Sequence, residues 1–241
     1  MFGTIVNALS VFVCGMLGVF LKKGLPKRIE TVVMQLVGVG VTVIGFNGAI
    51  VSMVSADTLT GRLSDSNGIL LVLSLVIGGV TGELLRIDDR ITAFGLSIEK
   101  KLGAEGFAKG FVTASILYCV GAMAIVGALN DGFRGDSSIL LTKSTLDSIM
   151  AVVLGSSLGI GVPFSAIPIL LYQGAIALFA GLLAPVLSDG VLLDLICMVG
   201  YCIVALIGTN LMGLTKIKTA NLIPALLVPV GYNLLLMIKN V

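Results

Sequence analysis

The stretch SIMAVVLGSSLGIGVPFSAIPILLYQGAIALFAGLLAPVLS, residues 148–188, holds 41 residues without a charge, bounded by Asp147 and Asp189. A helix crosses the hydrocarbon core of a bilayer with roughly 20 apolar residues, so the run is long enough for two crossings. Gly159, Gly161 and Pro163 near its middle are a natural helix stop and restart. The run therefore predicts two membrane helices, 144–161 and 166–187, joined by a tight turn. Outward from it, the charge-free runs 1–21, 31–56, 66–82, 110–130, 195–215 and 219–238 each fit one crossing and end at Lys22, Asp57, Glu83, Asp131, Lys216 and Lys239. The reading is one all-α integral membrane domain over 1–241 with eight spans: 3–21, 32–54, 68–86, 110–129, 144–161, 166–187, 191–213 and 220–238.

Composition points the same way. Hydrophobic residues make up 57% and charged residues 12%, against a usual ~45–50% and ~25%, and mean hydropathy is +1.13. The absence of histidine removes histidine-ligated zinc, histidine acid–base catalysis and histidine-held haem. A net charge of +2 without a basic stripe interleaved with aromatics argues against nucleic acid as a partner. Cys14, Cys119, Cys197 and Cys202 lie inside apolar runs, where thiols act as small hydrophobes.

Lysine and arginine in short loops mark the cytoplasmic side. Eleven of the 15 bases fall in one set of loops, at Lys22, Lys23, Lys27, Arg28, Arg86, Arg90, Lys100, Lys101, Lys109, Lys216 and Lys218. Arg62, Arg134, Lys143 and Lys239 fall in the other set, so both termini are expected outside. The first span lacks a basic leader and a small-residue processing site, and it reads as a mature helix. Segment 87–109 carries Ile91, Phe94, Ile98 and Leu102 at helical spacing among charges. It is either a cytoplasmic helix in the membrane interface or one packed on the ends of the bundle.

Span two ends Val43-Ile44-Gly45-Phe46-Asn47 and span seven ends Leu206-Ile207-Gly208-Thr209-Asn210. The two spans run in opposite directions, so spans 1–3 and 6–8 form a candidate inverted repeat, the architecture of many secondary transporters.

Several polar residues are not needed for spanning lipid. Gly3, Asn7, Val11 and Gly15 share one face of span one, and Asp147, Ala151, Gly155 and Gly159 one face of span five. Such faces pack helices closely, yet they carry an amide and a carboxylate. Asp147, three residues after Ser144, also suits a capping box in the first turn, beside Lys143. Glu83 stands three residues before Arg86 and can pair with it. Asp131 follows Asn130 at the C-terminal end of span four, where the helix dipole disfavours a carboxylate. Something positive should be near it: Arg134, Lys143, or a cation held by Asn130, Asp131, Asp136 and Asp147. A solvated turn is the plain alternative. Gln173 near the middle of span six must bond another helix or line a wet cavity. Pro224 and Pro229 interrupt span eight and free carbonyls beside Asn221 and Asn233.

The run from Gly121 through Asn130-Asp131-Gly132, with Gly135-Asp136-Ser137-Ser138 and Lys143-Ser144-Thr145-Leu146-Asp147, resembles the uncharacterised bacterial membrane family that includes YqgA and YdfK. Similarity extends to Gly3-Thr4, Asn7, Gly15 and Gly18 at the start and to Asn221-Leu222-Ile223-Pro224-Ala225 at the end. The resemblance implies a multi-pass protein of the bacterial inner membrane whose signature is the hairpin between spans four and five; it carries no activity. No nucleophile elbow, phosphate loop or paired catalytic carboxylates can be read, so no enzyme and no cofactor is expected. The expectation is a transporter of an inorganic cation or small polar solute, with Asn7, Asn130, Asp131, Asp136, Lys143, Asp147, Gln173, Asn210 and Asn221 as candidate site residues. Homo-oligomerisation would be ordinary for such a bundle. The alternative is a scaffold or a stress- or lipid-sensing protein in which these groups only lock helices together.

Overall fold

In a computed structural model, residues 1–22, 27–56, 65–102, 106–119, 122–181 and 190–239 are described. Arg62 and the 182–187 end of the sixth expected span lie outside them. Helices α1 (Phe2–Lys22), α2 (Lys27–Ala56), α3 (Asp65–Leu85), α4 (Ile87–Leu102), α5 (Phe107–Cys119) and α6 (Ala122–Phe133) make the first half. The second half is α7 (Ser138–Leu158), the single turn α8 (Gly161–Phe164), α9 (Ala166–Leu178), α10 (Gly190–Leu211), a 3-10 segment (Thr219–Leu227) and α11 (Val228–Lys239). The chain is an all-α polytopic membrane protein.

Six stretches among the described residues are long and apolar enough to cross a bilayer: Phe2–Leu21, Met34–Ala56, Asn67–Leu85, Ser138–Leu158, Gly161–Leu178 and Val191–Leu211. α5 and α6 pass the same test only as a pair, bent by 65° at the break between them, which gives six or seven candidate spans among the described residues. The eighth expected crossing falls on the 3-10 segment and α11, which do not meet the test. Its first half winds as 3-10 with Pro224 inside, a residue that cannot donate to the helical ladder.

Polarity is arranged for lipid. Leu9, Phe20, Phe46, Val72, Ile77 and Leu84 are exposed, while Asn7, Lys143, Asp147 and Gln173 are buried. Because lipid gives helices no hydrophobic reason to associate, close packing of small residues holds the bundle. α1 lies along α7, where Gly18 leaves no room for a side chain against Val152 and Ser156, nor Gly155 against the Gly15 carbonyl. α2 lies antiparallel to α10, with Gly38 against Met212, Gly45 against Ala205 and Gly48 against Tyr201. α3 packs on the 3-10 segment through Gly78 against Ala225 and Gly82 against Asn221. The break between α7 and α9 is where the sequence placed it: Gly159 takes φ 85°, a backbone region that glycine enters freely.

α4 packs on α5 and on the 3-10 segment, with Ile91 against the main core cluster. The described part of 87–109 is thus a helix in contact with the bundle. The turn into it is made by Arg86, at φ 50°. Glu83 does not turn to Arg86. It accepts from Asn221 Nδ2 at 2.5 Å and lies 3.6 Å from Lys218, because the 3-10 segment packs directly on this end of α3.

Candidate functional site

α7 begins at Ser138, six residues earlier than the expected start. Asp147 is thus nine residues into the helix, roughly 14 Å along an axis that rises 1.5 Å per residue, close to half of a ~30 Å core. It is no first-turn cap. Ser144 bonds back to the Leu140 carbonyl at 2.7 Å, and Asp147 forms an ion pair with Lys143 one turn earlier. Lys143, placed in an outer loop by its charge alone, is 6% exposed. Its ammonium also lies 6.0 Å from the centre of the Tyr118 ring, within reach of a cation–π attraction.

Three other helices close around this pair. From α1, the fully buried Asn7 donates through Nδ2 to Gln173 Oε1 on α9 at 3.3 Å, and the same amide faces the Asp147 carboxylate. From α5 comes Tyr118, 1% exposed. The structure therefore gathers Asn7, Lys143, Asp147 and Gln173, four of the nine candidates, and adds Tyr118. In sequence Tyr118 is one more aromatic residue in an apolar run, with no local signal to separate it from core.

Hydrogen bonding in this cluster is incomplete. Asn7 Oδ1, Gln173 Nε2 and Tyr118 OH are buried without a partner among the described residues. Each such group costs ~1–3 kcal/mol when left unmade, and most buried polar groups in folded proteins are paired. Together they present an acceptor, an amide donor and a hydroxyl around one neutralised ion pair.

Asp131 has a different environment. Its Oδ1 accepts from Gly3 N at 3.2 Å and from Ser137 Oγ at 2.6 Å, and its Oδ2 from Thr4 N at 3.1 Å and Thr4 Oγ1 at 3.2 Å. The Met1 ammonium stands 3.2 Å from Oδ1. The positive group that the dipole argument required is the N-terminus of α1, whose free N–H groups and dipole attract a carboxylate. Neither Arg134, Lys143 nor a cation is needed to explain it.

The other candidates do not join the cluster. The Asn130 carbonyl accepts from Arg134 N at 2.9 Å and Asp136 N at 3.2 Å, closing the hairpin turn. Asp136 points outward and accepts from Ser138 N at 3.0 Å, and that bond holds its carboxyl below the usual carboxylate range. Asn210 ties α10 to the following loop through Thr215 and Ile217. Asn221 bonds Glu83 and Asp88 N. Among the described residues no three acidic, cysteine or histidine side chains converge as a metal site would require. The quartet Asn130, Asp131, Asp136 and Asp147 is thus corrected: its carboxylates turn to the α1 N-terminus, the α7 N-terminus and Lys143 instead of to each other.

The hairpin that separates these two environments, with its Asp131 and Asp147, lies within a match that spans nearly the whole chain. The model of the family described as protein of unknown function (DUF554) matches residues 2–233. The chain belongs to this family. It is 32% identical to the uncharacterized membrane protein YdfK of Bacillus subtilis (strain 168) over 230 residues, covering 95% of this chain and 94% of that protein. It is 29% identical to the uncharacterized protein YqgA of Escherichia coli (strain K12) over 232 residues, covering 93% of each. No solved structure matches significantly.

Proposed function

We propose that this DUF554 protein carries an ion or a small polar solute across the bacterial inner membrane, and that the Asn7, Tyr118, Lys143, Asp147 and Gln173 cluster is the binding site. The observation that carries the reading is the three unpaired polar atoms around a buried ion pair. Ionisable groups inside membrane helices are costly and mark solute or proton pathways. A cluster serving stability alone would have its hydrogen bonds complete. In this reading the chain has eight spans with both termini outside and no enzymatic activity. A C-terminal alkaline phosphatase fusion is then active; an inactive one contradicts the topology.

The test is uptake into liposomes containing the purified protein, with a panel of monovalent and divalent cations, amino acids and small organic acids. At least one solute should enter with wild type and none with Asp147→Asn. The same solute should raise the melting temperature in detergent, by mass action on the folded state. If no solute gives uptake or a shift, the account is wrong and the cluster is a helix lock, as a scaffold would use it.

A further inference from the structure

A cavity of about 540 Å³ has walls from α4, α5, α6, α9, α10 and the 3-10 segment and shares no lining residue with the polar cluster. It runs along α5 from Phe111 to Cys119, roughly 12 Å at 1.5 Å per residue. Its volume is that of an ordinary small-molecule site, ~300–1,000 Å³. The walls are almost wholly apolar, with Phe111, Ile116, Pro168, Ile203 and Leu226 among them. A hydrophilic solute would leave its own polar groups unpaired there. The cavity is open rather than enclosed, and Tyr172 and Ile223 on its wall are 36% and 38% exposed.

Among the described residues, the one charged group on the wall is Arg90 of α4. Two of its acidic neighbours, Asp89 and Glu83, are engaged elsewhere. Asp89 accepts from Lys218 at 3.0 Å, Glu83 is taken by Asn221 and Lys218, and Asp88 lines a second, smaller cavity with Lys109. Arg90 has no ion-pair partner among the described residues. A guanidinium at the end of an apolar slot is suited to a phosphate on an apolar chain.

We propose that this cavity holds an acyl chain of an anionic membrane lipid, with Arg90 binding the head-group phosphate. The site is separate from the polar cluster and stands whether or not the protein transports. Charge selects the lipid and the apolar walls take the chain. Cys119 lies on the wall and is partly exposed, so the protein carries its own reporter of occupancy; Cys14 and Cys202 do not line the cavity.

The test uses the full-length protein, freed of lipid in detergent and titrated with phosphatidylglycerol or phosphatidylcholine of identical chains. Native mass spectrometry should show one phosphatidylglycerol retained per chain, about fivefold tighter than phosphatidylcholine, the scale of one basic residue near a lipid surface. Phosphatidylglycerol should also slow N-ethylmaleimide labelling of the partly exposed Cys119 relative to the partly exposed Cys202. Arg90→Gln should lose both effects and Arg90→Lys should keep most of the preference. Equal retention of the two lipids by wild type, or unchanged preference in Arg90→Gln, overturns the proposal. So does protection of Cys119 through self-association of the chain, seen as a dimer mass without lipid.

Discussion

Asp131 and Asp147 are both buried carboxylates near α1, one turn apart along that helix through Thr4 and Asn7. Asp131 has its acceptor sites filled by backbone N–H groups and two hydroxyls, and it closes the end of α1. Asp147 has a lysine, and around that pair three polar atoms go unpaired. The contrast teaches that burial of a charge does not by itself indicate function. What separates the two is whether the surrounding groups are satisfied, since a satisfied network specifies structure and an incomplete one leaves valence for something else.

The contrast can be broken most forcefully at Lys143. Lys143→Met strands Asp147 as an uncompensated buried charge, and unfolding in denaturant should show a loss of about 3–5 kcal/mol. The double variant Lys143→Met/Asp147→Leu should recover most of that loss, because an apolar pair of similar size replaces a costly ionic one. If the double variant is as unstable as the single, the ion pair is a structural element and the contrast with Asp131 collapses.

At Asp131 the expected effect is smaller and independent of any solute. Asp131→Ala leaves the Gly3 and Thr4 N–H groups and the Ser137 hydroxyl without an acceptor, costing ~1–3 kcal/mol. Asp131→Asn, which keeps one carbonyl oxygen, should cost less but still destabilise. A neutral or stabilising result would mean that the cap is not formed.

How much of this was legible in the sequence depends on where each partner sits. The charge-free runs located the long spans, and Gly159 and Pro163 located the break after α7, because both signals are local. The start of α7 is not legible, because Lys143 carries the charge of a loop base, and its spacing of one turn from Asp147 does not tell a buried pair from an exposed one. A carboxylate at a helix C-terminus demands a positive partner, but for Asp131 that partner, the end of α1, is 127 residues away at Thr4. Glu83 followed the same rule: Arg86 was near in sequence, yet the 3-10 segment was nearer in space. Tyr118 was missed because only the packing of α5 against α7 reveals which face it occupies.

A sharper and gentler change concerns the amides. Asn7→Leu with Gln173→Leu removes two groups that are already short of partners, so stability should stay within about 1 kcal/mol of wild type or rise, while uptake is lost. Such an exchange of activity for stability is the usual signature of a site carrying unsatisfied groups. A large destabilisation would place the amides with Asp131, as structure.

The smallest effect belongs to Asp136. Its bond to Ser138 N lowers its pKa in the folded state, so the contribution of this exposed cap to stability is present at neutral pH and is lost as pH falls through the folded value. Asp136→Ala should lower the melting temperature slightly at pH 7, and the difference from wild type should vanish in strong acid. A difference that persists there would assign it to something other than the carboxylate.

The most direct test of the central claim sets the two carboxylates side by side in liposomes, using the solute that wild type takes up. Asp131→Asn, though less stable, should transport at near wild-type rate once folded, and Lys143→Met/Asp147→Leu, which strands neither charge, should not transport while remaining folded by circular dichroism. Uptake by the folded double variant equal to that of wild type would contradict the account.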